Sequence, residues 1–409
     1  MKKAWHTKTL GEVCKTIQDG AHESPQKQFD APAEGRFLYI TSKNIRTNYL
    51  DLDDVSYVER DFHDRIYPRC QPRIGDVLLT KDGANTGNVT LNTIDEPFSL
   101  LSSVCLIKTN PTALKPAFLC YYLQSPNGLK SVTGQMTGAA IKRIILRDIK
   151  LATIPLPTLH EQQRIVVILD EAFDGIATAK AIAEKNLHNA RALFESHLDS
   201  VFTQRGKGWV EKRLDEVCTF SSGGTPSKSN SSYWSGEIPW VSGRDMKSTR
   251  LSDSLLHISR SAVDESSTRM APAGTLLILV RGMGLAHGSQ IAELMVPCTF
   301  NQDIRGIHPE PDLIPRYLLF ALRDRINSSD NILSSAAHGT LKIDSDELKS
   351  VMIPVLSRHH QQRIVTTIDS LSEETQRLES IYQQKLAALE ALKKSILHRA
   401  FNGELAGDN

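Results

Sequence analysis

The chain has 409 residues, of which 40% are hydrophobic and 23% are charged, and its net charge is +1, from 48 Lys and Arg against 47 Asp and Glu. A single core of that length would be unusual and the apolar content is too high for disorder, so we expect two or more folded domains. The balanced charge excludes a uniformly basic surface, so any nucleic-acid binding must depend on locally concentrated cations or on a partner.

Residues 1–157 are predicted to form a domain of strands and loops with a few helices. Short β-branched runs at 37–40, 77–80 and 103–108 are separated by Gly, Pro and Asn, which is typical of strands and turns. A helical stretch lies around residues 116–123. These features predict an α/β (α+β) domain.

Residues 158–204 are predicted to form one long helix. The stretch has no proline and is rich in Ala, Leu, Glu, Gln and Lys. Thr158, with Glu161 three residues later, forms the pattern of a capping box at its start. We expect its apolar stripe to face a partner helix, and the residues chosen for that stripe are Ile165, Leu169, Ile176, Leu187 and Phe194.

Residues 205–356 are predicted to form a second domain of the same kind, with strands at 238–241 and 275–280 and a helix around 315–322. Residues 357–402 are predicted to form a second long helix, and 403–409 a C-terminal tail. This helix carries a usable heptad pattern, in which Lys385 occupies one seam position. The residues predicted to pack along it are Ile364, Ile368, Leu371, Leu378, Tyr382, Leu389, Leu392 and Ile396.

The two halves of the chain are copies of each other. The segment from Trp5 to Cys14 returns from Trp209 to Cys218, and Gln-Gln-Arg-Ile-Val at residues 162–166 returns at 361–365. The offset stays near 200 residues, which indicates a duplicated domain and not a solenoid. About 40 helical residues make a rod of roughly 60 Å, and a rod with a narrow apolar stripe needs a partner. We therefore expect the two long helices to pack antiparallel as a coiled coil that separates two domains related by a pseudo-two-fold axis.

These repeated motifs resemble those of a known family. Ile-Pro-Leu at 154–156, followed by Glu-Gln-Gln-Arg-Ile-Val at 161–166 and a long helix, all repeated, resembles the specificity subunit of type I restriction–modification systems. Further similarities cover nearly the whole chain: Asp19 to His22, Lys81 to Gly87, Gly223 to Ser227, Tyr233-Trp234, Ile238 to Trp240 and Ala400 to Leu405. The second copy departs from the pattern at His359-His360, which precede its Gln-Gln pair.

The resemblance implies a non-catalytic subunit that recognises double-stranded DNA. By this resemblance, each domain reads one half of a split target, and the helices fix the spacing and dock two modification subunits. Those partners bring S-adenosylmethionine and adenine methylation, and restriction subunits with ATP-driven cleavage and Mg²⁺ join the complex in some systems. No cofactor or metal is expected on this chain itself.

The sequence offers no catalytic motif of its own. The adenine-methylation motif Asn-Pro-Pro-Tyr/Phe, the phosphate-binding G-x-x-x-x-G-K-S/T loop, H-E-x-x-H and G-x-S-x-G are all absent. No run approaches the roughly 18 apolar residues of a membrane span, and no apolar signal core follows Lys2 and Lys3. Six scattered cysteines without a C-x-x-C pair argue against a zinc site or a disulfide framework, so we expect a cytoplasmic protein.

DNA contacts are expected on polar loops next to strands, because base edges and phosphates require Arg, Lys, Asn, Gln, Ser, Thr or backbone amides. For any single residue, a solvated surface side chain is an equally good interpretation. The candidates in the first copy are His22, Ser24, Lys43, Asn44, Arg46, Lys81, Asn85, Thr86, Lys142 and Arg143. The candidates in the second copy are Ser222, Thr225, Lys228, Arg244, Lys247, Arg281, His287 and Lys342. Trp234 and Trp240 are expected to pack the domain and not to stack on bases.

Three other interpretations stay open at this point. The chain is a scaffold of the same shape that binds protein and not DNA, or the same adaptor in another DNA-modification defence system, or a methyltransferase with a cryptic active site. The polar, Gly-rich loops with Lys and Arg count against the first. Absent motifs count against the third.

Overall fold

The computed structural model describes residues 5–133, 143–203, 208–282, 285, 288, 290–328, 332–335 and 341–405. The elements up to residue 203 are β1 (His6–Thr9), α1 (Leu10–Val13), β2 (Cys14–Asp19), β3 (Arg36–Ile40), β4 (Ile45–Arg46), β5 (Tyr49–Leu50), β6 (Ser56–Glu59), α2 (Arg60–Ile66), a 3-10 turn (Tyr67–Arg69), β7 (Val77–Thr80), β8 (Val89–Leu91), β9 (Ser99–Leu100), β10 (Val104–Thr109), α3 (Pro116–Gln124), α4 (Pro126–Thr133), α5 (Leu146–Leu151), β11 (Thr153–Leu156) and α6 (Leu159–Thr203).

The second half has a similar but not identical order of elements. They are β12 (Val210–Arg213), α7 (Leu214–Val217), β13 (Cys218–Ser222), a 3-10 turn (Ser231–Trp234), β14 (Ile238–Val241), β15 (Arg250–Leu251), β16 (Leu256–Ile258), α8 (Arg260–Glu265), β17 (Leu276–Leu279), β18 (Ile291–Leu294), β19 (Thr299–Phe300), β20 (Ile304–Pro309), α9 (Pro315–Asn327), β21 (Leu333–Ser335), β22 (Leu341–Ile343), α10 (Ser345–Ser350), β23 (Met352–Val355) and α11 (Arg358–Phe401).

The chain divides into two compact units. Unit 1 consists of residues 1–185 and 383–409, and unit 2 of residues 186–382. Each long helix therefore contributes residues to both units. The linear division predicted at residues 157, 204, 356 and 402 stays a prediction, although both long helices lie within a residue or two of their predicted bounds.

Unit 1 is built on a four-stranded antiparallel sheet of order β2-β10-β7-β8 and a three-stranded sheet of order β6-β3-β9, in which β3 and β9 are parallel. β1 pairs antiparallel with β11. The main sheet is buried because β7 and most of β10 carry apolar side chains on both faces, as at the successive residues Leu78 and Leu79. A core of Leu and Phe fills the space between this sheet, α3 and the long helices.

Unit 2 has two main sheets equivalent to those of unit 1. β13-β20-β17-β18 corresponds to β2-β10-β7-β8, with β15 added at the edge, and β16-β14-β19 corresponds to β6-β3-β9. β12 and β23 pair as β1 and β11 do. The predicted duplication of an α/β (α+β) domain is confirmed.

The two long helices pack against each other inside each unit. In unit 1, Lys180 pairs with Glu390 at 3.1 Å and the Lys393 ammonium lies 5.2 Å from the centroid of the Phe173 ring. In unit 2, Arg191 of α6 pairs with Glu379 of α11 at 2.8 Å. In unit 1 the earlier residue of α6 contacts the later residue of α11, so α6 and α11 are antiparallel.

Most of the predicted stripe residues are buried or half-buried, but Leu392 is 47% exposed and contradicts the prediction. The reason is the helical period. An α-helix has 3.6 residues per turn, so a strict heptad drifts, and at Lys385 the contact face moves to Leu386, then to Leu389 and Lys393. The buried face therefore follows the straight helix and not the heptad.

The predicted capping box is half formed. The Thr158 hydroxyl accepts a hydrogen bond from the backbone amide of Glu161 at 3.3 Å, but the Glu161 carboxylate pairs with Arg164 at 2.8 Å. In the second copy, His360 Nδ1 lies 2.8 Å from the Ser357 hydroxyl. None of the helices formed by the described residues combines the length and apolar character that crossing a membrane requires.

Candidate nucleic-acid interface

In unit 1, four loops from separate strands meet at one edge. The loop after β2 bonds to the loop after β9, because Ala21 donates to the Leu100 carbonyl at 2.7 Å and Ser102 donates to the Ala21 carbonyl at 2.9 Å. Gly20 makes this close approach possible, since a Cβ there would lie 2.1 Å from the Leu100 oxygen. The contacts that join these two loops therefore include backbone hydrogen bonds that do not depend on side-chain identity.

The other two loops join the same edge through Ser103. The Ser42 amide donates to the Ser103 hydroxyl at 3.2 Å, and the Lys81 amide donates to the Ser103 carbonyl at 2.9 Å. Asn85 then donates to the Ser42 carbonyl at 3.1 Å. We call residues 20–24, 41–46, 81–88, 101–103 and Arg143 the first loop cluster.

Arg143 reaches this cluster from 61 residues further along the chain. It forms an antiparallel bridge with Asp82, and its guanidinium Nε lies 3.5 Å from the Asp82 carboxylate. The next residue, Ile144, donates to the Lys81 carbonyl at 2.8 Å. The structure thus brings together candidates that the sequence places far apart.

Unit 2 repeats this arrangement with different side chains. Gly224 donates to the Phe300 carbonyl at 2.8 Å, and a Cβ on Gly223 would lie 2.0 Å from the Asn301 oxygen. Thr225 donates to the Gln302 side chain at 2.5 Å. We call residues 222–228, 242–247, 280–282, 301–303 and Lys342 the second loop cluster.

Arg281 and Lys342 are partners in an isolated antiparallel bridge in unit 2. The flanking bonds run from Gly282 to the Leu341 carbonyl at 3.1 Å and from Ile343 to the Val280 carbonyl at 2.9 Å. This bridge matches Asp82 with Arg143 in unit 1, but here both partners are cations. An anion is the ligand that such a pair favours.

The same sequence family matches both halves of the chain. The family described as the type I restriction modification DNA specificity domain matches residues 2–185 and again residues 206–390. The chain belongs to this family.

Individual specificity subunits show the same relationship. The type I restriction enzyme EcoR124I/EcoR124II specificity subunit of Escherichia coli is 30% identical over 289 residues, which cover 68% of this chain and 68% of that protein. The MjaIX specificity subunit of Methanocaldococcus jannaschii is 30% identical over 195 residues, covering 46% and 43% of the two chains.

Two solved structures share the fold. A chain from a study of complex assembly and conformational transition of the type I restriction–modification system has a TM-score of 0.79 at 21% identity and covers 99% of both chains. The specificity subunit from Thermoanaerobacter tengcongensis has a TM-score of 0.58 at 21% identity, covering 99% and 98%. At this identity the likeness establishes the fold.

Two predicted DNA-contacting residues of this specificity-domain chain are buried and must be corrected. Asn44 is 1% exposed, and its side-chain oxygen accepts from the Thr41 amide at 3.0 Å while its amide donates to the Asp51 carbonyl at 3.0 Å. Lys81 is 2% exposed, and its ammonium faces Asp19 at 3.5 Å. Both side chains shape the loops and are not available to DNA.

The remaining described candidates in unit 1 are exposed or half-buried, and several of their basic side chains contact acids. His22, Lys43 and Arg46 contact Asp19, Asp54 and Asp51, each at 3.1 Å. The other accessible or half-buried candidates of unit 1 are Ser24, Asn85, Thr86 and Arg143. Lys142 lies outside the described residues.

The cations of unit 2 differ in this respect. Within the described parts of the chain, no carboxylate lies within ion-pair distance of its five candidate cations, which are Lys228, Arg244, Lys247, Arg281 and Lys342. Ser222 is exposed and bonds to Arg305, and Thr225 is half-buried. His287 lies outside the described residues. Trp240 packs as predicted, donating to the Gly224 carbonyl at 2.9 Å.

Sequence reasoning missed three features that hold these clusters together. The loops 101–103 and 301–303 hold both clusters together, and the polar run Asn301 to Asp303 directly after a strand was the signal. Asp19 directly precedes Gly20 in the loop after β2, so the sequence already placed it next to the candidate residues. Arg69, which bonds to Asp19, lies 50 residues away and gave no signal.

Proposed function

We propose that this chain is the target-reading subunit of a type I restriction–modification complex, in which each unit reads one half of a bipartite DNA sequence. The observation that supports this most directly is the occurrence of one loop cluster in each unit, held by equivalent backbone bonds and carrying different polar side chains. The two clusters have equivalent backbone arrangements but carry different hydrogen-bonding side chains. Direct readout of base edges in DNA grooves requires such side chains.

We further propose that the two half-targets differ in sequence. In unit 1 the bridge at the loop edge pairs Asp82 with Arg143, and in unit 2 it pairs Arg281 with Lys342. Since donors and acceptors differ at equivalent places, the same base pair would not satisfy both. The target is then asymmetric and not a palindrome.

The long helices would set the gap between the two half-targets and dock the partners. α6 and α11 are continuous helices, and each has residues in both units, so neither can change length locally without breaking a helix. We propose that two methyltransferase subunits bind per chain and supply S-adenosylmethionine chemistry. Restriction subunits would add ATP- and Mg²⁺-dependent cleavage, and the complex would work in the cytoplasm, where its DNA lies.

We propose no catalytic role for the chain. Among the described residues, no three His, Cys, Asp or Glu side chains are grouped so that they could hold a metal ion. The accessible groups of the loop clusters are donors and acceptors suited to recognition.

The test is a methylome of a host that expresses this chain with its methyltransferase subunit. The proposal expects a split motif with a fixed gap. Replacing residues 1–157 by the segment of a relative should change one half of that motif and leave the other. Inserting seven residues into one long helix should change the gap or abolish methylation. Methylation at a continuous motif, or a gap unaffected by the insertion, would contradict the proposal.

A further inference from the structure

Asp19, the last residue of β2, has a buried carboxylate surrounded by basic side chains. Its Oδ1 accepts a hydrogen bond from Arg69 Nη2 at 2.7 Å, and its Oδ2 lies 3.1 Å from His22 Nε2 and 3.5 Å from Lys81 Nζ. Gln18 donates to Oδ1 at 3.2 Å. The one Asp19 carboxylate thus contacts two permanently charged side chains, Arg69 and Lys81, and the imidazole of His22.

These contacts join segments that are distant in sequence. His22 lies in the loop after β2, Arg69 ends the 3-10 turn, and Lys81 follows β7. Arg69 Nε also donates to the backbone carbonyls of Asp19 at 2.9 Å and Gly20 at 3.1 Å. Arg69 therefore fixes the start of the loop after β2 through both the Asp19 side chain and the backbone.

Lys81 extends the influence of Asp19 to the rest of the first loop cluster. The Lys81 backbone donates to Ser103 at 2.9 Å and accepts from Ile144 at 2.8 Å, directly beside Arg143. Its side chain is 3% exposed, and Asp19 is its one ion-pair partner in the described structure. Without that carboxylate, a buried ammonium would be left unpaired and the residue would have to move.

The electrostatics favour a permanently charged carboxylate here. Burial would by itself raise the pKa of Asp19, but the hydrogen bond from Arg69 and the charge of Lys81 outweigh it, and the pKa lies below its ordinary value.

Unit 2 is built without this network. In unit 1, Asp19 stands opposite Cys105 in the β2–β10 pair, and in unit 2 the same place holds Ser222, opposite Arg305. Val280 takes the place of Lys81, as its carbonyl accepts from Ile343 at 2.9 Å. Unit 2 is thus an internal control in which a neutral pair replaces the charged one.

We propose that Asp19 is a positioning residue for DNA recognition by unit 1 alone: through Arg69, Lys81 and His22 it sets the relative placement of the loops that read one half-target. This inference rests on the proposed function above. It assigns Asp19 no contact with DNA.

The experiment uses the full complex of this chain with its methyltransferase subunits. Binding is measured on a DNA series in which each base pair of both half-targets is replaced in turn. For Asp19→Asn we expect discrimination against wrong base pairs to fall about tenfold or more in the half-target assigned to residues 1–157 and to be unchanged in the other. Asp95→Asn is the matched control, because this carboxylate is exposed in the same unit and lies outside both the Asp19 contacts and the first loop cluster.

A double variant, Asp19→Asn with Lys81→Met, separates positioning from stability and remains informative if the single variant does not fold. It leaves no unpaired buried ammonium, so thermal stability should recover, while Arg69 and His22 still lack their carboxylate. Positioning predicts that discrimination in one half-target stays low. Full recovery of discrimination together with stability would mean that Asp19 only stabilises the unit.

The two hypotheses fail differently. If the chain does not read a bipartite target, the unmodified complex shows no paired half-targets. If the wild-type complex reads two half-targets and Asp19→Asn weakens both equally, or neither, the positioning role is wrong and the proposed function stands.

Discussion

The side-chain oxygen of Gln162 accepts a hydrogen bond from the backbone amide of Lys115 at 2.9 Å, directly before α3. Its side-chain amide donates to the carbonyls of Ala113 and Pro157, at 2.9 and 3.0 Å. In the second copy, the side chain of Gln361 accepts from the Ile314 amide at 2.8 Å and donates to the carbonyls of Asp312 and Leu356, at 3.0 and 2.8 Å. In both copies a fully buried glutamine lies at the start of a long helix. Its side chain fixes the loop that leads into α3 in unit 1 and into α9 in unit 2.

We expect Gln162→Ala and Gln361→Ala each to destabilise its own unit by about 2–4 kcal/mol, because the lost side chain leaves one backbone amide and two carbonyls unpaired in a buried site. Hydrogen exchange of α3 and α9, read by mass spectrometry, would assign the loss to one unit. The neighbouring Gln163 and Gln362 are exposed, so their alanine variants are matched controls. Equal protection in the variant and its control would show that these bonds contribute little.

The repeated Gln-Gln-Arg motif was evident in the sequence, but the role of its first glutamine was not. Two of its three partners lie 47 and 49 residues earlier, and no local pattern relates them to the glutamine. Strands, helices and the duplication can be predicted because each leaves a pattern in the sequence itself. The patterns are the residue types of short segments and the similarity of the two halves. Contacts between a side chain and a distant loop depend on the tertiary fold, and the sequence alone does not give it.

The same limit explains which site residues were misjudged. Lys81 and Asn44 have the residue types and loop positions of DNA-contacting groups, yet both are buried. Asn44 is held by backbone groups of its own loop, and Lys81 by Asp19, 62 residues earlier. Arg143 and Lys342 lie far along the chain from the other candidates of their copies, and only the fold shows that each adjoins a second candidate loop.

The position of the helix contact face can be tested with two leucines three residues apart. Leu389→Ala should destabilise unit 1 by about 1–3 kcal/mol because a half-buried side chain is lost, whereas Leu392→Ala should change the free energy of unfolding by less than about 0.5 kcal/mol. Urea unfolding of both variants would measure the difference. A larger loss of unfolding free energy for Leu392→Ala than for Leu389→Ala would show that the contact face follows the strict heptad and does not shift at Lys385.

We expect the buried carboxyl of Asp324 to make the stability of unit 2 depend on pH. This carboxyl of α9 is 6% exposed, and burial raises its pKa to about 6, while Arg325 opposes the rise and Asp199 adds to it. Since the folded pKa lies above the unfolded value of 3.8, the carboxyl favours the folded state at low pH, and this contribution is lost as the pH rises through about 6.

Asp324→Asn should therefore stabilise unit 2 at neutral pH, by on the order of 2 kcal/mol, and have little effect near pH 4. Thermal unfolding of variant and wild type across that pH range would measure it. Asp346→Asn is a suitable control, because that carboxylate is exposed on α10. A stabilisation that is the same at both ends of the range would exclude titration of Asp324 as the cause.

The bridge at the edge of each loop cluster predicts an unequal salt dependence of DNA binding. Arg281 and Lys342 adjoin each other without an acidic partner in the described structure, whereas Arg143 is 3.5 Å from Asp82. If the cations of unit 2 contact phosphates, Lys342→Ala should lower the slope of log affinity against log salt by about 0.9, the value for one lost phosphate contact. Arg143→Ala should lower it by less, because Asp82 already neutralises that charge.

Removing the acid supplies the converse experiment. Asp82→Asn frees Arg143 and should steepen the salt dependence, making unit 1 resemble unit 2. Fluorescence anisotropy of the complete complex on its own target, over a salt series, measures all three variants in one format. If Lys342→Ala changes the slope more than Arg143→Ala does, phosphate contacts contribute more to DNA binding by unit 2 than by unit 1. Equal changes would show that the Asp82 pair opens on DNA, as exposed ion pairs of low strength can.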